Sequence, residues 1–416
     1  MFPPETGRSR APWSFHWPDD NVVAVIAPEL RDAFIECSNE LVAEMRTAER
    51  PAVALLVPWQ EPPPDSRRHD GYVDSFLCSR SIFRQLFEGS ANMDGAAMSF
   101  ALMHGVLNRR VDAQTFRVRQ VGRPSRPTLR QGAIDQRAAV IMAHRGPVPY
   151  LETALDFLDN FRSSPMLTIK VGLDVDSEDE YERVASRFRR HEFFGVDTDN
   201  PPAGPYVIRQ GLIERSSEPL LLFHDSDDIC SDDRYTVQFA DMCRWNADLV
   251  GSHEIQVDEI NQCVEAIRFP LDVTAALGKD ARSADLHNEQ EPLLHATALV
   301  RREAFLRAGG LSTDRRIAND TQFMLRAHFS MRMRNSDEFL YVRRKHAASL
   351  TVAPETAAGH PIRRALAAAW SSDFEAVKHG TRVLEETSLL PRASSVPCAL
   401  RRMSTGALVA RGTATA

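Results

Sequence analysis

An apolar run, PLLLF, ends in four polar residues, Asp225, Ser226, Asp227 and Asp228. Alternate residues of an extended chain point to the same side, so the carboxylates of Asp225 and Asp227 are expected to converge while Ser226 points elsewhere. Two converging carboxylates repel each other unless a cation lies between them, and hard oxygen ligands suit Mg²⁺ or Mn²⁺. Such a metal can hold a diphosphate and neutralise a leaving nucleotide. The alternative is a solvated acidic turn that caps a helix beginning near Asp232.

The elements around this sequence indicate an α/β fold. Short apolar runs predict buried strands at 138–143, 167–175 and 219–225, and YLETALDFLDNF between the first two has helical spacing. Strands that alternate with helices predict crossovers and a largely parallel sheet. Open sheets of this kind bind ligands beyond the carboxyl ends of their strands, where the acidic residues lie.

The chain divides into four predicted regions. They are a flexible arm at 1–20, an accessory α/β domain at 21–130, a main α/β domain at 131–353, and a helix at about 362–377 followed by a tail within 354–416. The accessory domain contains a predicted strand at 52–58 and helical patterns at 28–46 and 96–107, and its role is not indicated by its residues. The last twenty residues have a composition typical of disorder.

Composition narrows the class of protein. The chain has 416 residues, 43% of them hydrophobic, and a formal net charge of −7, which argues against a protein that binds nucleic acid mainly through phosphate contacts. Six cysteines without a CxxC pair indicate neither a zinc knuckle nor a dithiol site and fit a reducing cytosol. No signal peptide and no run of about 20 apolar residues are present, so the expected location is cytoplasmic, with peripheral membrane contact at most.

The segments AAVIMAHR, VGLDVDSED and RQGLIERSSEPLLLFHDSDD resemble, in this order, the family-two glycosyltransferases with the GT-A fold. The resemblance covers residues 137–353, about half of the chain. It implies a GT-A (Rossmann-like), mostly parallel sheet flanked by helices, here with an additional N-terminal α/β domain and a C-terminal helical tail. In this family the D-x-D element after an apolar strand holds Mn²⁺ or Mg²⁺ and the sugar nucleotide.

The resemblance also implies roles for individual residues. Those matching nucleotide-sugar contacts are His144, Arg145, Asp174, Asp176, Arg209, Asp225, Ser226 and Arg344. Those matching metal ligands are Asp225, Asp227, Asp228 and His346. Asp174 stands where the family reads the base, which favours uracil, and Gln210 departs from the family's asparagine after Arg209. The structural alternatives are a strand-end turn for Asp174, a surface position for Arg209 and an exposed basic loop for Arg344 and His346.

Asp320 matches the family's general base, preceded by Asn319 where many members have an acidic residue. A base is required because an acceptor hydroxyl is a weak nucleophile until its proton is removed. The alternative is that Asp320 only caps the helix that follows it. His295 is placed near the sugar by the same comparison, but a lone histidine among apolar residues is typically structural.

The resemblance therefore implies an inverting hexosyltransferase that uses a nucleotide-diphosphate sugar, with a UDP-sugar favoured. The acceptor class stays open among saccharide, lipid, peptide and small molecule, and the sequence indicates no oligomeric state. Two alternatives are an Mg²⁺-dependent phosphatase with an aspartate nucleophile, and an inactive module that binds sugar nucleotides. The phosphatase pattern places Thr or Val where this chain has Ile229.

Overall fold

A computed structural model describes residues 13–16, 22–30, 32, 34, 52–64, 67–87, 93–111, 113, 115–121, 136–160, 166–279, 291–357 and 359–403. They form two β-sheets with helices packed against them. Most of the predicted arm, most of the predicted helix at 28–46 and the final residues 404–416 lie outside the described residues. Within the arm, residues 13–16 form a strand.

The smaller sheet contains five strands of the described chain, in the spatial order β1-β2-β5-β3-β6. Their bounds are Trp13–His16 (β1), Val22–Ile26 (β2), Ala52–Pro58 (β3), Ser75–Ser79 (β5) and Thr115–Val121 (β6). Only β3 and β6 pair in parallel. The predicted strand at 52–58 is confirmed at both ends. Arg68–Tyr72 (β4) leaves this sheet and pairs with the larger one.

The larger sheet has the order β11-β15-β12-β14-β10-β7-β8-β9-β16, with β13 and β4 extending it beyond β12. Its strands are Ala138–His144 (β7), Leu167–Leu173 (β8), Glu192–Thr198 (β9), Leu220–Phe223 (β10), Ile229–Cys230 (β11), Leu249–Asp258 (β12), Cys263–Arg268 (β13), Leu299–Arg301 (β14), Met333–Lys345 (β15) and Cys398–Arg402 (β16). The run β10-β7-β8-β9 is parallel, as predicted. On either side of this run, β14 is antiparallel to β10 and β16 is antiparallel to β9. The pattern of apolar runs in the sequence did not indicate these antiparallel pairings.

Helices cover the sheets, so the predicted α/β fold is confirmed. They are Arg80–Phe87 (α1), Gly95–Leu107 (α2), Val148–Asp159 (α3), Asp179–Arg187 (α4), Pro205–Glu214 (α5), Arg234–Trp245 (α6), Val273–Lys279 (α7), Arg302–Arg307 (α8), Asn319–Ala327 (α9) and Pro361–Lys378 (α10). No helix among the described residues has the length and apolar character needed to cross a membrane.

The predicted disorder of the last twenty residues is wrong for residues 398–402. This segment is the edge strand β16, which pairs with β9 from Cys398 opposite Thr198 to Arg402 opposite Phe194. Leu400 is buried against the core, and Arg401 pairs with Glu178 and Asp197. A strand of charged residues at a sheet edge is hard to recognise from sequence, because only one of its faces needs apolar residues.

The N-terminal segment shares a core with the larger sheet. One cluster joins Val53 and Phe76 of the smaller sheet to Ile255, Val264 and Phe339 of the larger one. Each of these side chains is at most 1% exposed. The accessory region and the main sheet are therefore packed against each other through a continuous apolar interface.

A buried ion pair fixes this junction. The Arg268 guanidinium, fully buried on β13, donates to the Asp70 carboxylate, to the Gln120 side chain at 2.6 Å and to the Pro58 carbonyl at 2.8 Å. Without Asp70, the Asp337 carboxylate at 4.0 Å is the carboxylate still within ion-pair distance of Arg268 among the described residues, so this buried charge is sensitive to substitution of Asp70.

Asp70→Ala is expected to lower the free energy of unfolding by about 3–5 kcal/mol, the usual cost of breaking a buried ion pair. Urea unfolding followed by circular dichroism measures this. Asp197→Ala is the matched control, since Asp197 pairs with Arg401 at the surface and is 54% exposed. A loss below about 1 kcal/mol in Asp70→Ala, the range of surface pairs, would contradict the assignment.

Candidate active site

The acidic sequence after β10 alternates between exposed and buried side chains. Asp225 and Asp227 have side chains 35% and 29% exposed, whereas Ser226 is 7% and Asp228 is 2% exposed. The pattern agrees with the expectation that Asp225 and Asp227 face the same side. They lie at the carboxyl end of a central strand, where open α/β sheets bind ligands.

Asp227 faces a histidine from a distant part of the chain. Its Oδ2 lies 2.9 Å from Nε2 of His346, just after β15. The His346 ring packs edge-on against Tyr150 of α3, with ring centroids 5.4 Å apart. A carboxylate and an imidazole in contact can both be ligands of a divalent metal.

Asp225 pairs with Arg209 of α5, whose guanidinium donates to Asp225 Oδ1. Burial raises the pKa of Asp225, and the charges of Asp227 and Asp320 add to this, while Arg209 opposes it. The carboxylates of Asp225 and Asp227, which are both partly exposed, thus have only partial charge compensation from the protein, and this favours a cation between them.

Asp228 differs from the expectation that it is a metal ligand. Its carboxylate turns toward β15 and accepts hydrogen bonds from the Tyr341 hydroxyl and the Arg344 backbone amide, both at 2.7 Å. Burial raises its pKa well above the usual range, with Asp227 and Asp225 contributing. Tyr341 also accepts from the Asp225 amide at 3.1 Å, so Asp228 and Tyr341 together shape the acidic turn.

Arg344 also differs from its expected role. Its side chain is 3% exposed, lies 3.9 Å above the Tyr150 ring, and pairs with Glu259 at 2.7 Å and Asn108 at 2.8 Å. A guanidinium held in this way supports the Tyr150 ring and, through it, His346. It does not face the open side of the acidic turn.

His144 is buried and contacts the acidic turn through Ser226. Its Nδ1 lies 2.8 Å from the Ser226 hydroxyl, and its Nε2 lies 3.1 Å from both the Gly146 carbonyl and the Tyr181 hydroxyl. Tyr181 also donates to the Gly146 carbonyl, at 2.7 Å. Burial lowers the pKa of His144 to about 4. This neutral imidazole connects the end of β7 to the acidic turn through Ser226.

Asp174, after β8, holds the loop before α5. Its two carboxylate oxygens accept from the amides of Ala203 at 3.1 Å and Gly204 at 2.9 Å. Gly204 has a φ of +96°, which an L-residue with a side chain rarely adopts. Arg145 donates to the Asp174 carbonyl at 2.8 Å and lies 3.7 Å from Asp176, whose side chain is 88% exposed.

Asp320 is the second residue of α9, and the helix cap is Ala318 with a φ of +62°. Asp320 therefore does not occupy the N-cap position of this helix. Its Oδ1 accepts from the Tyr206 hydroxyl at 2.8 Å and from the Thr321 amide at 3.0 Å. Asn319 is fully buried and bonds the carbonyls of Ser312 and Arg315, at 2.8 and 2.9 Å.

Sequence reasoning missed several residues that complete these contacts, among them Tyr206, Tyr150 and Tyr341. Tyr206 precedes Arg209 by one helical turn, so its place beside Asp320 could have been inferred from helical spacing. Tyr150 and Tyr341 carry no such signal, because each contacts the site only through tertiary packing. His295 is buried against Phe223 and, among the described residues, neither of its ring nitrogens has a hydrogen-bond partner.

The described residues contain no group of three or more His, Cys, Asp and Glu side chains arranged to hold a metal. The chemistry of the site nevertheless fits a divalent cation with Asp227 and His346 as protein ligands and Asp225 nearby. Mg²⁺ and similar ions commonly take one or two protein ligands and complete their coordination with phosphate oxygens and water.

No protein-family profile matches the chain, and no curated protein matches it. Solved structures do resemble it. S. aureus TarS 1–349 in complex with UDP-GlcNAc has 15% identity and a TM-score of 0.41, over 60% of this chain and 74% of that one. The mannosyltransferase PcManGT from Pyrobaculum calidifontis, in complex with GDP-Man and Mn²⁺, has 15% identity and a TM-score of 0.40, over 59% and 67%.

The second of these neighbours is named as a mannosyltransferase. Their donors differ, since one is bound to UDP-GlcNAc and the other to GDP-Man. The contacts that define the candidate site in this chain are those of its own residues.

The buried, neutral His144 predicts acid sensitivity. Its folded pKa of about 4 lies below the usual 6.5, so stability is full above pH 6.5 and is lost as pH falls toward 4. The largest loss from this group is about 3 kcal/mol. His144→Asn should show a shallower fall in unfolding free energy from pH 6.5 to 4, measured by urea titration. His379→Asn, at an exposed position, is the control, and equal slopes in all three proteins would contradict the prediction.

Proposed function

We propose that the protein is a metal-dependent, inverting glycosyltransferase that transfers a sugar from a UDP-sugar to an acceptor hydroxyl. The observation that carries the proposal is that one helix, α5, contacts both halves of the site. Arg209 pairs with Asp225 at the acidic turn, and Tyr206, one turn earlier, donates to Asp320. The proposed diphosphate site and the proposed base are thereby each bonded to a residue of the same helix.

The donor end uses Asp227 and His346 as metal ligands, with Asp225 and Arg209 beside them. When bound, the cation supplies positive charge to the departing diphosphate. We also assign Arg209 to the diphosphate oxygens, because its guanidinium pairs with Asp225 of the acidic turn. Ser226, held by His144, fixes the turn that carries both carboxylates.

The acceptor end uses Asp320 as general base. Since its Oδ1 already accepts from Tyr206 and Thr321, Oδ2 is the oxygen that takes the proton of the acceptor hydroxyl. The acceptor oxygen forms its bond to the anomeric carbon as the bond from that carbon to the diphosphate breaks, and UDP leaves. One direct displacement of this kind inverts the configuration of the anomeric carbon.

The nucleoside end is formed by Asp174, Arg145 and the loop that Asp174 holds. Because the Asp174 oxygens accept from the Ala203 and Gly204 amides, this carboxylate shapes the wall of the site as well as offering an acceptor to the uracil imide. The preference for uracil over guanine remains a prediction. Asp176, exposed and close to Arg145, lies at the rim of the same region.

Asp320→Asn is expected to lower sugar transfer by roughly 10²- to 10⁴-fold, the usual span for a lost general base. UDP affinity should stay close to that of the wild type, because Asp320 lies at the acceptor end. UDP release from UDP-glucose and UDP-GlcNAc with Mn²⁺ is measured alongside UDP binding, and Asp179→Asn, on the exposed face of α4, is the control.

The outcomes separate the alternatives. Near-normal release by Asp320→Asn would remove this residue from the mechanism. Hydrolysis of p-nitrophenyl phosphate with Mg²⁺, abolished by Asp225→Asn, would instead favour the phosphatase. UDP binding without turnover of either sugar nucleotide would favour the inactive module.

A further inference from the structure

Glu291 lies outside the contacts described so far and is connected to the base through Thr321. It stands just before the short 3-10 helix His295–Thr297, and its Oε1 accepts from the Thr321 hydroxyl at 2.8 Å. Thr321 in turn donates its backbone amide to Asp320 Oδ1 at 3.0 Å. One threonine therefore connects the two carboxylates through its hydroxyl and its amide.

The chain neighbour of Asp320 cannot supply this second carboxylate. Asn319 is uncharged and fully buried, and its side-chain amide is bonded to the Ser312 and Arg315 carbonyls. Its oxygen also accepts from Arg315 Nε at 3.1 Å. The second carboxylate that is connected to the base through Thr321 therefore comes from Glu291, about thirty positions away in the sequence.

The groups around Glu291 come from several elements. Asp320 and Thr321 face it from α9, Arg67 from the segment before β4, and Arg363 from α10. Burial raises the pKa of Glu291 to about 7, with the charge of Asp320 adding to this and both arginines opposing it. Beyond Asp320, the charged or titratable groups are Tyr206, Arg209 and His295.

We propose that Glu291 is a positioning residue of the acceptor site, which holds Asp320 in place through Thr321 and supplies a second negative charge beside it. This inference rests on the proposed function. The hydrogen bond fixes the first turn of α9, so that Oδ1 stays bonded and Oδ2 stays available to the acceptor hydroxyl. The charge of Asp320 adds to the burial that raises the pKa of Glu291, so the pair keeps one proton up to about neutral pH.

The two effects predict different results for different substitutions. Glu291→Gln keeps an oxygen for Thr321 and removes the charge, so the acid limb of the kcat/KM profile should shift to lower pH while kcat above that limb stays within a fewfold of the wild type. Glu291→Ala removes the hydrogen bond as well and should lower kcat at every pH by roughly 10- to 100-fold, the cost of a misplaced catalytic group. Glu291→Asp should partly restore kcat.

The experiment measures UDP release from UDP-glucose and from UDP-GlcNAc, with Mn²⁺ and with water as acceptor, between pH 5 and 9. Glu303→Gln, at an exposed carboxylate that is 91% accessible on α8, is the matched control. Thr321→Val removes the same hydrogen bond without touching Glu291, and it should lower kcat as Glu291→Ala does. Circular dichroism and UDP binding check that each variant is folded.

Wild-type activity with an unchanged profile in Glu291→Gln, and unchanged kcat in Glu291→Ala and Thr321→Val, would overturn this inference and leave the proposed function standing. Absence of UDP release by the folded wild type from both donors would overturn the proposed function and this inference together. A shifted acid limb in Glu291→Gln, with reduced kcat in the other two variants, would support it.

Discussion

Three aspartates follow one buried strand, and the site is organised around the limited charge compensation that the protein gives them. Arg209 pairs with Asp225, His346 contacts Asp227, and Asp228 accepts hydrogen bonds from Tyr341 and the Arg344 amide. Arg209 comes from α5, Tyr341 and Arg344 come from β15, and His346 is the residue that follows β15. The acidic turn is therefore also the point at which these elements are joined.

Helix α5 connects the acidic turn to the rest of the site. It packs so closely on β8 that a Cβ at Gly172 would come within 2.2 Å of the Ile208 side chain. Asp174 holds the loop that begins the helix, and Tyr206 and Arg209 project from it toward the two halves of the site. Close packing thus fixes the base and the acidic turn relative to each other.

The sequence predicted what depends on local pattern. The apolar strands, the exposed pair Asp225 and Asp227, and the α/β fold follow from periodicity and from the ends of strands. Asp228 and Arg344 differed from expectation because burial and tertiary partners, which spacing does not reveal, turned their side chains away from the open side. The edge strand at 398–402 and the contact from Glu291 to Thr321 depend on distant pairing, for which a single sequence carries no signal.

Calorimetric titration with UDP, with and without Mn²⁺ and with GDP as the comparison, tests whether the acidic turn binds a metal and a nucleotide diphosphate. We expect that UDP binds in the presence of Mn²⁺, that binding weakens strongly without it, and that Asp227→Ala abolishes the effect of the metal. Equal UDP affinity with and without Mn²⁺, or no binding by the folded protein, would contradict the claim that the acidic turn holds a metal and a nucleotide diphosphate.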